Sequence, residues 1–124
     1  MNAPTFARFG TGHGIVATAG IAAIEPSTLT PLFEDFDAQA SWVLEQLDIV
    51  LRDAGAGRGD LLRVECFLAE RRWFGAWNTH YADHFGTTPP ARTTLVCGLP
   101  VDGLLIEVQA IAAISPSHRR NSAP

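Results

Sequence analysis

Pro90-Ala91-Arg92-Thr93-Thr94, followed one turn later by Ile106-Glu107-Val108-Gln109-Ala110, decides how this chain is read. Both segments are short and rich in apolar and β-branched residues, and Pro and Gly bound them, which is the pattern of β-strands. The first carries a single arginine. Its guanidinium keeps its charge near neutrality and presents parallel N–H donors that match a carboxylate at two points. Strand alternation sends Arg92, Thr94 and Val96 to one face and Thr93, Leu95 and Cys97 to the other. In the last strand Leu105, Glu107, Gln109 and Ile111 share a face, opposite Leu104, Ile106, Val108, Ala110 and Ala112. Polar side chains in so apolar a setting need partners if buried. Two readings follow. Either Arg92 and Glu107 form a surface ion pair on the open face of the sheet, or that face holds a small-anion site shared between subunits.

Working outward, Phe6–Phe9 is a short strand candidate, 10–14 a glycine-rich turn around His13, and Ile15–Ile24 one buried strand ended by Glu25-Pro26-Ser27. From Asp35 or Asp37 the period changes. Phe36, Ala40, Val43, Leu44, Leu47, Val50, Leu51 and Ala54 recur at steps of three and four, one face of an amphipathic helix that Gly55 stops. Leu62, Val64, Cys66 and Leu68 then alternate with Arg63, Glu65 and Phe67 as a half-buried strand. A second helix spans about Arg72 to Phe85, with Trp73, Trp77, Tyr81 and Phe85 in a stripe read as core. The order β-β-α-β-α-β-β predicts an α+β fold: a mixed sheet with two helices packed on one face. Residues 1–114 form one domain, and 115–124 a polar tail.

The 124 residues are 47% hydrophobic and 18% charged, with net charge −4. An acidic chain lacks the basic footprint of a nucleic-acid or anionic-membrane binder. All nine basic residues are arginines, so lysine Schiff-base chemistry is excluded. The N-terminus has no signal-peptide pattern and no apolar run reaches membrane-span length, which points to a cytoplasmic protein. Cys66 and Cys97 sit in apolar segments and are expected as reduced, buried thiols.

The stretch from Gly20 to Ala113 resembles the RidA (YjgF-type) family. The likeness rests on Thr18-Ala19-Gly20, Asp53-Ala54-Gly55, Leu62-Arg63-Val64-Glu65-Cys66-Phe67-Leu68, Trp77-Asn78 with Tyr81 and Phe85, Pro90-Ala91-Arg92-Thr93, and Leu99-Pro100 followed by Ile106–Ala112. It implies a chorismate-mutase-like fold, a homotrimer with clefts between subunits, and cofactor-independent, metal-free hydrolysis of small carboxylate-bearing enamines and imines to a 2-keto acid and ammonia. In that scheme Arg92 binds the substrate carboxylate, backbone groups at Thr94 hold the nitrogen end, and Gly20 with Phe6 or Phe9 lines the cleft. The water-orienting acid is expected at Gln109, where this chain has an amide, with Glu107 as its substitute. The family's N-terminal aromatic hydroxyl is missing, and its cysteine is Thr94. These departures leave two alternatives: a pathway-specific enzyme for a larger substrate, and a non-catalytic trimeric module that binds small carboxylates.

Other candidates are weaker. His80 and His84, four apart on a helix, have a zinc-compatible spacing but no evident third ligand. His13 lies near the cleft at best. Gly10-Thr11-Gly12-His13-Gly14 lacks the strand-to-helix context of a phosphate cradle. Neither cysteine has a base nearby in sequence.

Overall fold

A two-residue turn opens the chain. His13 and Gly14 both take positive φ, 53° and 78°, the type I′ geometry whose twist matches the strands it joins. It closes a hairpin between β1 (Phe9–Gly12) and β2 (Ile15–Thr18), paired Gly12 to Ile15 and Phe9 to Thr18. The 10–14 segment is thus mostly strand, with its turn confined to two residues, and the first strand begins at Phe9 rather than Phe6. The computed structural model describes residues 5–114; the polar 115–124 segment lies outside them.

The expected strand Ile15–Ile24 is broken into β2, β3 (Ile21–Ala22) and β4 (Ile24–Glu25). The break has a polar cause. The Thr18 hydroxyl accepts a hydrogen bond from Ala110 N at 3.0 Å, and Ala19 N turns back to Arg8 O at 2.8 Å. Ladder bonding lapses at residues 19 and 20 and resumes where Ile21 meets Val108. β4 pairs with β5 (Thr30–Pro31) in a small separate ribbon.

Helix α1 (Phe36–Asp53) starts where the Asp35 side chain accepts a hydrogen bond from Ala38 N at 2.9 Å, a side-chain cap on an otherwise orphan amide. Gly55, at φ 86°, terminates it. β6 (Leu61–Leu68), a 3-10 turn, α2 (Phe74–Phe85), β7 (Ala91–Val96) and β8 (Ile106–Ala113) follow. The main sheet runs β1-β2-β8-β6-β7, with β3 also on β8. β6 and β7 are parallel, and the other pairs in this sheet are antiparallel.

Both helices pack on one sheet face, over Val16, Val64, Cys66, Leu68, Ile106, Val108, Ala110 and Ala112. Trp77, Tyr81 and Phe85 are buried there, as the stripe predicts. At the start of β6 the expectation fails. The register slips between Leu61 and Arg63, so Leu61 enters the core while Leu62 is 52% exposed. A bulge inserts one residue and shifts the side-chain period, which alternation alone does not reveal.

One buried polar residue joins the layers. Gln39, fully buried on α1, donates from Nε2 to Phe33 O (2.8 Å) and Gly103 O (2.9 Å) and accepts from Leu105 N at 2.9 Å. Three backbone groups of otherwise irregular segments are satisfied by one side chain. Gln39→Leu strands all three, so a loss of about 3 kcal/mol is expected, read as a lower urea midpoint with little change in slope.

Candidate active site

Arg92 belongs to the helix-covered face. In the parallel ladder it sits opposite Val64, which also faces Ala110 across β6. Its guanidinium is half-buried at the rim of the helix layer. Nε donates to Thr94 Oγ1 at 2.8 Å, and Nη2 donates to Asn78 Oδ1 at 2.5 Å. The plane lies over the Tyr81 ring, 4.7 Å from its centroid, with Phe74 5.8 Å away on the outer side. These aromatic faces attract a cation.

No carboxylate pairs with Arg92 among the described residues. The acidic partners go elsewhere: Asp53 to Arg8, Asp48 to Arg58, Glu70 to Arg72. Arg63 and Arg71 also lack such partners but are exposed. Arg92 is therefore a partly desolvated charge held by neutral dipoles and π-faces. That arrangement suits an anionic ligand better than a structural ion pair does.

Beneath it lie Cys66 and Tyr81. Burial pushes the Cys66 thiol up to about 11, against the opposing influence of Trp77, Arg92 and Thr94. Burial likewise raises Tyr81 to about 12, with Cys66 adding to the rise and Arg92 opposing it. Both are neutral at physiological pH, so neither is a ready nucleophile. Cys97, expected to be buried, is exposed just beyond β7, an edge strand whose last residues Leu95 and Val96 are exposed as well.

Glu107 and Gln109 are on the opposite face. Gln109 is paired with Glu65 and Glu107 with Phe67, and Glu65 and Phe67 in turn face Thr93 and Leu95. Within one chain the sheet separates Arg92 from Glu107, so the ion pair envisaged between them does not form. The two β8 polar residues also differ in setting. The Glu107 carboxylate is packed on the Cα of Gly20: a methyl there would overlap its Oε2 and lie 3.1 Å from its carboxyl carbon. Gly20 thus permits this close approach, and a side chain there would displace the Glu107 carboxylate. Burial raises the Glu107 pKa. Gln109 makes no side-chain hydrogen bond among the described residues and is half-buried. Phe9 packs against the core, whereas Phe6 is 66% exposed.

The structure brings Arg92 and Thr94 together, and separately Gly20 and Glu107. Sequence reasoning missed Asn78, Tyr81 and Phe74 as arginine partners. Their spacing of four and three, with Asn78 set beside the aromatic stripe, was the available signal.

The two helix histidines are drawn apart. His80 Nε2 meets Asp37 Oδ1 at 2.8 Å and His84 Nε2 meets Asp48 Oδ1 at 3.1 Å. Among the described residues no cluster of three or more His, Cys, Asp or Glu could hold a metal ion. His13 is at the exposed hairpin tip.

With this geometry in view, comparison with known proteins is decisive for ancestry: the sequence profile of the endoribonuclease L-PSP family, Ribonuc_L-PSP, matches residues 3–114. The chain is a member of that family. This L-PSP family chain is 35% identical over 105 residues to a RutC family protein of Synechocystis, covering 82% of this chain and 80% of the relative. A RutC family protein of Pyrococcus abyssi is 35% identical over 98 residues, covering 78% and 76%. Among solved structures, the Rid family protein YyfA of Yersinia pestis superposes with TM-score 0.79 at 30% identity, covering 91% of this chain and 94% of its own. RidA of an Antarctic Psychrobacter gives 0.79 at 25%, covering 90% and 89%. The RidA resemblance and the α+β fold with two helices on one face are both borne out.

The raised pKa of Glu107 carries a stability prediction for this L-PSP member. An acid whose folded pKa is raised destabilises the fold when ionised. That cost is fully present above the raised value and disappears as pH falls below the ordinary glutamate value of 4.5. Glu107→Gln should raise the urea midpoint at pH 7, with the advantage shrinking as pH is lowered through 4.5. An advantage independent of pH would assign the effect to something other than the charge.

Proposed function

We propose that the protein is an enamine/imine deaminase, hydrolysing a small carboxylate-bearing imine to the 2-keto acid and ammonia. One observation carries this reading: Arg92 is half-buried and cationic, with neutral partners only. A carboxylate supplies the missing countercharge and is gripped at two points. With the carboxylate fixed, the adjacent C=N carbon is oriented for attack. Water adds to that carbon, the nitrogen takes up a proton to give a carbinolamine, and collapse of the carbinolamine expels ammonia and leaves the carbonyl.

Glu107, rather than Gln109, takes the water-orienting role in this proposal. Its support is chemical and positional. A carboxylate with a raised pKa is a better proton acceptor than an amide, and this one is seated on Gly20. Since Arg92 and Glu107 lie on opposite faces of one sheet, a working site takes Arg92 from one copy and Glu107 from a neighbour. A closed ring such as the homotrimer meets that need. The reading requires no metal or organic cofactor. Net charge −4 gives no electrostatic footprint for RNA. Among the described residues no helix is long and apolar enough to cross a membrane.

The test couples an amino-acid oxidase or threonine dehydratase to generate 2-iminobutanoate and follows its lifetime with and without the protein. Acceleration is expected, with Arg92→Ala lowering kcat/KM at least about 100-fold, the scale of a lost charge-assisted bidentate contact. Full activity in Arg92→Ala would sink the mechanism.

Shared sites make a further prediction. Arg92→Ala and Glu107→Gln proteins, each impaired alone, should recover activity when unfolded and refolded together. At equal mixing about a quarter of sites would combine an intact Arg92 with an intact Glu107 across a cyclic interface. A mixture no better than the average of its parents would show that the two groups do not meet in one site.

A further inference from the structure

We infer that the Thr94 side chain is a positioning residue: its hydroxyl, with the Asn78 amide, locks Arg92 so that only the terminal edge of the guanidinium, Nη1 with the second N–H of Nη2, meets the substrate carboxylate. The inference rests on the deaminase reading for what is bound, and on geometry alone for the lock.

A guanidinium has two edges that can grip a carboxylate at two points: the side edge of Nε with one Nη, and the terminal edge between the two Nη groups. Here the side edge is engaged by the protein. Nε donates to Thr94 Oγ1 at 2.8 Å and Nη2 to Asn78 Oδ1 at 2.5 Å. Nη1 has no hydrogen-bond partner among the described residues.

Both acceptors are neutral, so they direct the cation without cancelling its charge. They also come from different elements, Thr94 from β7 and Asn78 from α2, and the Tyr81 ring supports the guanidinium plane at 4.7 Å. Three contacts of different direction leave the head little rotational freedom. A long flexible side chain otherwise loses that freedom on binding, at a cost to affinity.

Thr94 is the informative member. It lies two residues from Arg92 on the same strand face and opposite Cys66 in the parallel ladder. The hydroxyl is a good acceptor for an N–H, where a thiol sulfur would be a weak one. The β-branched side chain is also stiff at χ1, so its oxygen is a fixed target. An orientation locked this way gives a definite specificity: planar carboxylates that meet the terminal edge at two points.

The experiment uses ¹⁵N-labelled full-length protein and reads the arginine Nε–H signals directly, so it does not depend on turnover. Arg92→Lys assigns the resonance by its disappearance. In the wild type the Arg92 Nε–H should exchange slowly with water. Thr94→Val keeps shape and strand preference but removes the acceptor, and should shift that signal and speed its exchange about tenfold. Thr94→Ser should restore it. An unchanged Nε–H in Thr94→Val overturns the lock.

The same samples are titrated with 2-oxobutanoate, the keto-acid product of the proposed reaction. The affinity should fall about five- to tenfold in Thr94→Val and recover in Thr94→Ser. In turnover the loss should fall mainly on KM rather than kcat. Wild-type protein that binds no 2-oxobutanoate, with the Nε–H response intact, would count against the carboxylate reading while upholding the lock. Affinity unmoved by Thr94→Val despite a freed Nε–H would overturn the claim that the lock serves binding.

Discussion

The pleat of β6 governs every other placement in this molecule. It is the one strand with β7 on one side and β8 on the other, so its alternation fixes which residues of both neighbours share a face. Val64, Cys66 and Leu68 point into the helix layer, and with them go Arg92 and Thr94 of β7 and Ile106, Val108 and Ala110 of β8. Glu65 and Phe67 point the other way, and with them go Thr93, Leu95, Glu107 and Gln109. A period of two has no intermediate setting. Arg92 and Glu107 are divided by this parity and do not meet within one chain.

The helix-side half is built so that a cation can be withdrawn from water without neutralisation. An arginine at the rim of an apolar layer ordinarily needs an acid beside it. Here an amide, a hydroxyl and two aromatic faces stand in its place. Neutral solvation of this kind keeps the electrostatic field directed outward, where a ligand can use it. Cys66 and Tyr81 beneath it stay protonated because burial outweighs the nearby positive charge. They act as apolar floor and ring support rather than as reactants. On the other face, Gly20 lets the Glu107 carboxylate settle against backbone, and partial desolvation raises its pKa.

Much of this was legible in the sequence because it is periodic. The α1 stripe from Phe36 to Leu51, the aromatic row of α2 and the alternation of β8 each repeat often enough to declare their element and its buried face. What escaped was aperiodic. The bulge that swaps Leu61 for Leu62 is one inserted residue, and alternation on either side of it reads equally well. The break at Ala19 and Gly20 goes with the Thr18 hydroxyl on Ala110 N and with Ala19 N turned to Arg8 O. Asn78, quoted only within a family match, and Gln39 gave no sign of partners that lie far away in sequence. Placing Arg92 and Glu107 on one sheet face had the same origin: alternation orders residues within a strand but not the register between strands. The RidA resemblance was secure because it drew on many short matches in order. The assignment of Gln109 to a site role drew on one position.

Gln39 has a consequence for connectivity as well as for energy. Its two longest contacts, to Gly103 and Leu105, join positions 64 and 66 residues apart, so a large loop must close before they exist. Contacts of that span give no return until the entropy of closing the loop has been met. One buried amide on α1 thus ties the turn ahead of β8 to the helix layer, and through it the strand that carries Glu107.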